Sequence, residues 1–408
     1  MGETLFVAHR MPFPPDRGDK IRSHHLLKAL CRLGPVHVAT LGETDVDFRS
    51  EPLLAELARS HCLARRAGNL PLAGLRAFAA GWPVSLAAFD SPQLRTWISQ
   101  ALDAHPIDTI FVFSGQMGQF VPAEFAGRVV VDLCDVDSAK FESYADNHAW
   151  PRRWIYAREA RLLAAEEARL AHRADATLLI SQDEAELFRR RVGRTRANVI
   201  TLANGIDTDL FDPAAVAPDP RLVADTGPHI VMTGQMDYPP NVAAVLRTAR
   251  QLMPAIREVY PAAKFHVVGR NAGAEVRALG GLNGTRVWGE VPDVRPFLAA
   301  ADLVVAPLTI ARGVQNKVLE AMAMARPILL SAEAATGIGA ADGEHYAVGS
   351  DDQDMAKRAL ELLSDRPVAL AMGASAKRFV IEHKSWDAAL APLADIIGGP
   401  TVEARDAA

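Results

Sequence analysis

The sequence offers little from which a disulfide framework, a membrane span or a nucleic-acid surface could be built. Its three cysteines, Cys31, Cys62 and Cys134, lie far apart and form no Cys-x-x-Cys pair. We therefore expect reduced, buried thiols in a cytoplasmic protein. No stretch approaches the ~18–20 apolar residues that cross a bilayer. The net charge of −5 argues against duplex nucleic acid as the main partner, because that polyanion is bound through clustered cations.

Several common catalytic motifs are also missing. The chain has no P-loop, no His-Glu-x-x-His and no Gly-x-Ser-x-Gly, so the corresponding nucleotide-hydrolase, zinc-protease and serine-hydrolase sites are not expected. The first apolar run is followed by HRMPFPPDRGDK, which lacks the Gly-x-Gly-x-x-Gly of a dinucleotide site. We predict no cofactor.

What the chain does contain is two arrays of apolar runs that alternate with amphipathic helices. Continuous apolar runs of this kind are typical of parallel sheets covered on both faces, so the fold class is predicted as α/β with two doubly wound domains. The strands predicted for the first array are 4–9, 36–41, 109–114, 129–134, 176–181 and 199–204. Those of the second array are 229–234, 264–270, 285–290, 302–308 and 327–331, with helices at 241–257, 294–300 and 316–325.

A segment rich in proline and aspartate separates the two arrays. We predict an N-terminal Rossmann-like domain at 1–205, a linker at 206–228 and a C-terminal Rossmann-like domain at 229–384. Residues 385–408 would form a helix and tail that could cross back to the N-terminal domain. Ligands of doubly wound sheets bind at the carboxyl ends of the strands, so two such domains facing each other would form one central cleft.

Asp135 and Asp137 form an Asp-x-Asp pair directly after the predicted strand 129–134. Two carboxylates at this spacing could hold a divalent ion. We favour the alternative that these acids cap a helix beginning at Ser138, because Asp is a preferred capping residue.

The stretch LTIARGVQNKVLEAMAMARPILLS places charged residues where a strand passes into a helix. Gly313 lets the backbone approach a ligand, and a helix start near Gln315 and Asn316 presents free N–H groups that favour anions. Lys317 adds a positive charge, and Glu320 lies one turn further on the same face. A carboxylate repels phosphate but suits two adjacent hydroxyls, so the set fits a nucleoside diphosphate. An ordinary surface Lys–Glu pair is the alternative.

Five segments in order resemble the retaining glycosyltransferases of family 4, which have the GT-B fold of two Rossmann-like domains facing a cleft. They are PFPPDRGDKIRSHHLLKAL, LISQDEAELF, LANGIDTDLF, VMTGQMDYPPNVAAV and the long segment GEVPDVRPFLAAADLVVAPL…GVQNKVLEAMAMARPILLS. The combination of PFPPDRGDKIRS, DLCDVDS and ARGVQNKVLEAMAM is most similar to a subgroup associated with the exosortase/PEP-CTERM system and exopolysaccharide clusters.

The resemblance implies a role for individual positions. Lys317 would neutralise the donor diphosphate and Glu320 would bind the ribose. Gly18 would let a loop approach the diphosphate. The remaining donor-side candidates are Gly234, Arg270, Gly313, Gln315 and Asn316. The acceptor-side candidates are Asp16, Lys20 and Asp135, and Asp137 joins Lys317 and Arg312 as a catalytic candidate. For Arg270 a solvated loop residue, and for Asp16 a turn-forming role, are the alternatives.

Arg312 departs from the family pattern, which often has a second glutamate at this position. Its guanidinium suits two phosphate oxygens, so we favour a role as a second diphosphate cation. The alternatives are that it meets a sugar that carries a carboxylate, or that the activity is lost.

The resemblance implies a metal-independent hexosyltransferase that uses a nucleotide-diphosphate sugar and a glycan or lipid-linked acceptor in exopolysaccharide biosynthesis. A sugar-nucleotide epimerase and a non-catalytic nucleotide-sugar-binding protein are the rival classes. The Arg-rich segment 150–173 could lie on an anionic membrane at its cytoplasmic face. The favoured alternative is a surface helix that packs Leu162, Leu163 and Leu170 inward.

Overall fold

A computed structural model describes residues 2–66, 74, 77–193, 197–311 and 313–398. The chain divides into two compact units. The N-terminal unit comprises residues up to Asn204 together with the described residues from Ala389 onward, and the C-terminal unit is Gly205–Ala388. None of the described helices combines the length and apolarity needed to cross a bilayer.

The N-terminal unit is built on a parallel sheet of seven described strands in the order β3-β2-β1-β4-β5-β6-β7. Its central strands are buried along most of their length, as expected for strands covered on both faces. The strands are β1 (Glu3–Ala8), β2 (Val36–Gly42), β3 (Ser60–Arg65), β4 (Ile107–Phe113), β5 (Arg128–Cys134), β6 (Ala176–Leu179) and β7 (Val199–Thr201). The helices are α1 (Gly18–Leu33), α2 (Asp45–Arg49), α3 (Glu51–Leu57), α4 (Val84–Ala87), α5 (Pro92–Ala104), α6 (Asp137–Asp146), α7 (Arg152–Arg173) and α8 (Gln182–Val192).

The C-terminal unit repeats the architecture with six described strands in the order β10-β9-β8-β11-β12-β13. The strands are β8 (His229–Thr233), β9 (Lys264–Val268), β10 (Thr285–Gly289), β11 (Leu303–Ala306), β12 (Ile328–Ser331) and β13 (Ala347–Gly349). Its helices are α9 (Pro220–Val223), α10 (Pro239–Arg247), α11 (Met253–Val259), α12 (Ala274–Arg277), α13 (Arg295–Ala300), α14 (Asn316–Ala323), α15 (Ala332–Ala335), α16 (Asp352–Ser364), α17 (Arg366–His383) and α18 (Trp386–Leu390).

The helix predicted over 241–257 is interrupted. A π-helical turn, Thr248–Leu252, joins α10 to α11. Pro254 is the second residue of α11, and because its ring has no N–H and crowds the preceding turn, a regular α-helix cannot pass through it. The expected helix is therefore present, with a local change in its hydrogen-bonding pattern.

A buried ion pair fastens α1 to the sheet of the N-terminal unit. Arg22 is 2% exposed, and its Nε donates to the carboxylate of the fully buried Asp132 in β5 at 2.8 Å. The same guanidinium donates to the Asn204 side chain at 2.7 Å and to the Leu202 carbonyl at 2.9 Å. Leaving one member of such a pair without its partner costs about 3–5 kcal/mol. The pair therefore holds α1 against β5 and limits where the loop before α1 can lie.

The C-terminal segment returns to the N-terminal unit after α17 and α18. A final helix, α19 (Leu393–Gly398), packs against α1 and β5. The Arg128 Nε donates to the Ile396 carbonyl at 2.7 Å. The segment 206–228 packs within the C-terminal unit, where Leu222 is fully buried and the Asp219 N–H donates to the Pro296 carbonyl.

Candidate active site

A pocket of about 630 Å³ lies at the carboxyl ends of the strands in the C-terminal unit. Loops after β8, β9 and β10 form one side, and the start of α14 forms the other. The lining residues are Thr233, Gly234, Gln235, Tyr238, Asn241, Gly269, Arg270, Glu290, Val291, Val294, Val314, Gln315, Asn316, Lys317 and Glu320. The pocket therefore brings together six of the predicted site residues, namely Gly234, Arg270, Gln315, Asn316, Lys317 and Glu320.

Two glycines allow the ends of β8 and β9 to approach each other. Gly234 and Gly269 both have positive φ, of 153° and 152°. A Cβ on Gly269 would lie 1.6 Å from the Gly234 carbonyl oxygen, a distance that no side chain permits. Close approach of the two backbones, which opens the pocket between their loops, therefore requires glycine at these positions.

Lys317 and Glu320 face the same pocket from two successive turns of α14. The Lys317 ammonium hydrogen-bonds the Asn241 side-chain oxygen. Among the residues that the structure describes, nothing hydrogen-bonds the Glu320 carboxylate. Burial raises the pKa of Glu320 to about 7, while the nearby charge of Lys317 lowers it. Burial also lowers the pKa of Lys317 to about 8. The pocket thus holds an ammonium and a carboxylate that the protein satisfies only in part.

The other predicted residues of this turn lie in different surroundings. Arg312 lies outside the described residues. Gly313 has a φ of 64°, which favours glycine, and it does not line the pocket. Gln315 precedes α14 in an extended conformation. The first backbone N–H groups of any helix have no intrahelical partner, and the Gln315 side chain does not cap those of α14. Arg270 hydrogen-bonds the Gln235 side chain at 3.2 Å.

A second pocket, of about 580 Å³, lies at the carboxyl ends of β1, β4 and β5 in the N-terminal unit. Its lining includes Asp135 and Asp137 among the predicted residues. Asp16, Gly18 and Lys20 are outside this lining. Gly18 begins α1 at an exposed position where a Cβ would meet no atom within 4 Å, so crowding within the unit does not require glycine there.

Lys20 occupies a buried position. It is 5% exposed, and its ammonium pairs with Asp47 at 2.7 Å and with the exposed Asp16 at 3.7 Å. Asp47 in turn accepts from the backbone N–H groups of Glu43 and Thr44. Lys20 therefore connects α1 to α2 in the folded unit.

The expectation that Asp135 and Asp137 cap the following helix is wrong. The helix α6 begins at Asp137, one residue before the predicted start, and Val136 makes no side-chain cap. Its N-terminal amides are bound from elsewhere in the chain, because Glu184 accepts from the Val136 N–H and Glu167 accepts from the Ser138 N–H. The two aspartates are left to face the pocket.

The two aspartates differ in their surroundings. The Gln116 side chain donates to Asp137 at 2.9 Å, and the Lys140 ammonium is 3.9 Å away. Burial raises the pKa of Asp135, and the charges of Glu184 and Asp137 raise it further. Among the described residues, these two aspartates belong to no group of three His, Cys, Asp or Glu ligands.

Sequence reasoning missed His9 in the same pocket. The His9 ring is 7% exposed, stacks on Phe113 with centroids 5.5 Å apart, and contacts Phe89 edge-on. Its Nε2 lies 3.2 Å from Asp19 and 2.8 Å from Arg10. Burial lowers the pKa of His9, and the hydrogen bond to Asp19 opposes that shift. The sequence signal that could have identified His9 is the His-Arg pair directly after the first strand, where ligands of a parallel sheet bind.

Two family models match most of the chain between them. The model described as "Glycosyl transferase 4-like domain" matches residues 18–205, and the model described as "Glycosyl transferases group 1" matches residues 227–365. No curated protein sequence matches the chain.

Solved structures resemble the chain over its full length at low identity. HepE of Anabaena in complex with UDP is 15% identical, with 97% of this chain and 99% of that chain covered and a TM-score of 0.62. Sucrose-phosphate synthase from Thermosynechococcus elongatus is 16% identical, with 100% of both chains covered and a TM-score of 0.60. WaaG, described as a glycosyltransferase involved in lipopolysaccharide biosynthesis, is 18% identical, with 97% and 100% covered and a TM-score of 0.59.

The two parallel α/β units and these full-length likenesses define the class, and the predicted GT-B fold is confirmed. Both family models describe glycosyltransferases, one for each unit. The chain therefore carries one domain similar to the 4-like glycosyltransferases and one domain similar to the group 1 glycosyltransferases.

The raised pKa of Glu320 predicts a dependence of stability on pH. The pKa of its carboxyl is about 7 in the folded chain, above the 4.5 that is ordinary for an exposed glutamate. The folded chain therefore binds more protons between these values, and stability falls as pH rises through this window. Glu320→Gln removes the buried charge, so we expect the free energy of unfolding to rise by ~1–3 kcal/mol at pH 8 and to change little at pH 5.

Urea unfolding at the two pH values measures this difference. Glu290→Gln is the matched control, because Glu290 lines the same pocket at an exposed position. A Glu320→Gln effect of equal size at pH 5 and pH 8 would show that the buried charge is not its cause.

Proposed function

We propose that the chain is a retaining, metal-independent hexosyltransferase that moves a sugar from a nucleoside-diphosphate sugar to a glycan or lipid-linked acceptor. The observation that carries this proposal is the pairing of Lys317 with Glu320 in one glycine-walled pocket. That pairing offers a cation for phosphate and, beside it, a carboxylate for hydroxyl groups. HepE has been solved with UDP and with UDP-glucose, which makes uridine nucleotides the first donors to test.

The donor would satisfy the charges that the protein leaves incompletely paired. Diphosphate oxygens would accept hydrogen bonds from the Lys317 ammonium and from the free N–H groups at the start of α14. The ribose hydroxyls would donate to the Glu320 carboxylate. Each contact favours the charged form of its side chain, so donor binding would lower the pKa of Glu320 and raise that of Lys317.

The reaction would consist of one displacement on the same face of the sugar. The bond from the anomeric carbon to the diphosphate oxygen breaks, and the acceptor oxygen bonds to the anomeric carbon. The acceptor proton passes to the departing phosphate oxygen. Negative charge grows on the diphosphate as the bond breaks, so Lys317 and the helix N-terminus would stabilise the transition state more than the ground state.

The pocket of the N-terminal unit is our candidate for the acceptor. Asp135 and Asp137 line it together with His9, and the two carboxylates can accept hydrogen bonds from sugar hydroxyls. We place this acceptor among the glycans or lipid-linked glycans of exopolysaccharide biosynthesis.

Arg312 is proposed as a second cation for the donor diphosphate. The alternative role, recognition of an acidic sugar, is distinguished by the donor preference of Arg312→Glu. Turnover of UDP-glucose and UDP-glucuronate is compared in the wild type and the variant. The diphosphate role predicts that both donors lose turnover together, whereas acidic-sugar recognition predicts a shift of preference away from UDP-glucuronate.

Lys317→Ala tests the donor assignment directly. We expect kcat to fall about 100-fold or more, which is ~3 kcal/mol, because a charge-stabilising donor is lost from the transition state. Turnover is measured with the donor that binds the wild type best in a thermal-shift screen of nucleotide sugars. Product formation is followed with acceptor present and absent, since an epimerase would consume the donor without an acceptor.

Lys357→Ala is the matched control, because Lys357 is an exposed lysine of the same unit outside the pocket. The assay is repeated with EDTA, which should leave the activity intact because the proposal assigns charge stabilisation to protein groups. Full activity of Lys317→Ala would refute the phosphate assignment, and a strict need for Mg²⁺ would refute the metal-independent mechanism.

An exposed aromatic patch in the N-terminal unit supports a membrane-surface location for the acceptor side. Trp150 is 83% exposed and Trp154 57% exposed at the start of α7, and the Trp154 ring stacks on Phe78. Exposed Arg152 and Arg153 stand between the two tryptophans. Aromatic rings beside arginines suit the interface of an anionic bilayer.

The rest of α7 behaves as the favoured alternative predicts. Leu163 and Leu170 are buried against the unit, and Leu162 is partly buried. Two arginines in the last turn of α8 are bound within the unit, because Arg191 pairs with Glu142 at 2.8 Å and Arg189 donates to the Val199 carbonyl. Arg194 and Arg196 lie outside the described residues. Membrane contact is therefore proposed only for Trp150 and the first turn of α7, and not for the rest of the helix.

Replacing both Trp150 and Trp154 by Ala should abolish co-sedimentation with phosphatidylglycerol vesicles at low salt. Both side chains are more than half exposed, so the fold should tolerate the change. Val223→Ala, at a position 65% exposed in the C-terminal unit, is the control and should co-sediment as the wild type does. Wild-type chain that stays in the supernatant, or a double variant that still sediments, would refute contact through this patch.

A further inference from the structure

Three metal-ligating side chains meet at the amino-terminal edge of the sheet in the N-terminal unit. Glu3 is the first residue of β1, His37 is the second residue of β2, and His105 follows the end of α5 just before β4. The pocket with His9 lies at the other edge, where these strands end. The cluster is therefore separate from the proposed reaction.

The distances within the cluster fit one small ion. The Nε2 of His37 lies 2.8 Å from the Oε2 of Glu3, and the Nδ1 of His105 lies 3.9 Å from the same oxygen. All three ligand atoms lie within 4.8 Å of one another. A tetrahedral Zn²⁺ with ligands at about 2.0–2.1 Å separates them by about 3.3 Å, so small side-chain shifts would complete the geometry.

His37 is held as a metal-binding histidine usually is. It is fully buried, and its Nδ1 lies 2.8 Å from the Ser60 hydroxyl. That hydroxyl can either donate to Nδ1 or accept from it. When an ion replaces the proton between His37 and Glu3, Nδ1 can take up a proton and donate it to Ser60, so the hydrogen bond to Ser60 is kept. A partner of this kind orients the ring and fixes its tautomer.

The remaining groups leave room for the ion. The His105 ring lies beside the His37 ring with centroids 4.2 Å apart and is partly exposed, which gives the ion a path from solvent and an open fourth position. The Arg59 Nε lies 3.5 Å from the Oε1 of Glu3, which leaves Oε2 for the ion. Imidazole and carboxylate together suit a divalent ion of the zinc class better than Mg²⁺ or Ca²⁺, which prefer oxygen ligands.

We propose that Glu3, His37 and His105 form a binding site for one divalent transition-metal ion, with Zn²⁺ as the test ion. A water molecule would take the fourth position. Because all three ligands lie at the edge remote from the strand ends that line the pocket, the ion would stabilise the N-terminal unit and take no part in sugar transfer.

Calorimetric titration of the tag-free full chain, stripped with chelator, measures the site with Zn²⁺. We expect one ion per chain in the wild type and a rise in melting temperature on its addition. His105→Ala should weaken binding at least tenfold, and Ser60→Ala should weaken it by about 10–100-fold, the range found for groups that orient metal ligands. His105 is partly exposed, so its replacement should not prevent folding.

His61→Ala is the matched control. His61 lies 3.1 Å from Glu51 in a partly exposed His–Glu pair, and no described residue joins them as a third ligand, so removing His61 should leave the single high-affinity event unchanged. Glu3→Gln, which preserves shape and removes charge, should weaken binding at least tenfold, as His105→Ala does. A wild-type chain that takes up no Zn²⁺, or uptake unchanged in His105→Ala and Glu3→Gln, would overturn the proposal.

Discussion

The partial burial of two opposite charges near the start of α14 is the constraint on which the rest of the account depends. Taking Lys317 and Glu320 out of water costs free energy, and their mutual attraction returns only part of it. Asn241 satisfies the ammonium, while the carboxylate has no described partner. Such a pair lowers the stability of the fold. Charged groups of this kind are characteristic of binding sites, where a ligand supplies the partners that the protein lacks.

The two parallel sheets explain why these charges lie where a ligand can reach them. Every strand of a parallel sheet ends at the same edge, so loops distant in sequence converge there. In the C-terminal unit the glycines after β8 and β9 let two loops approach closely, and α14 begins beside them. In the N-terminal unit, the Arg22–Asp132 pair fixes α1 against β5. The second pocket lies at the carboxyl ends of β1, β4 and β5.

The sequence predicted the features that are local and apolar. Continuous hydrophobic runs predicted eleven of the thirteen described strands, and the Lys317–Glu320 pair was visible because one helical turn separates its members. The two missed strands are short or polar edge strands, and β3, with the sequence SHCLAR, is only partly buried. An edge strand needs less apolar sequence because one side of it has no neighbour.

Features that depend on distant residues could not be predicted in this way. The helix after Asp135 is capped by Glu167 and Glu184, which lie far along the chain, so the neighbouring aspartates were wrongly assigned to that role. The cluster of Glu3, His37 and His105 has no spacing signature, because the topology of β1, β2 and β4 alone brings it together. His9 belongs to the same category, since its aromatic neighbours come from other elements.

The central claim is that the pocket beside α14 holds the nucleoside diphosphate. A crystal structure of the chain grown with UDP tests it most directly. The account predicts diphosphate oxygens within about 3 Å of the Lys317 Nζ and ribose hydroxyls within hydrogen-bond distance of the Glu320 carboxylate. UDP bound at the carboxyl edge of the N-terminal sheet instead, with Lys317 and Glu320 left without contacts to it, would contradict the account.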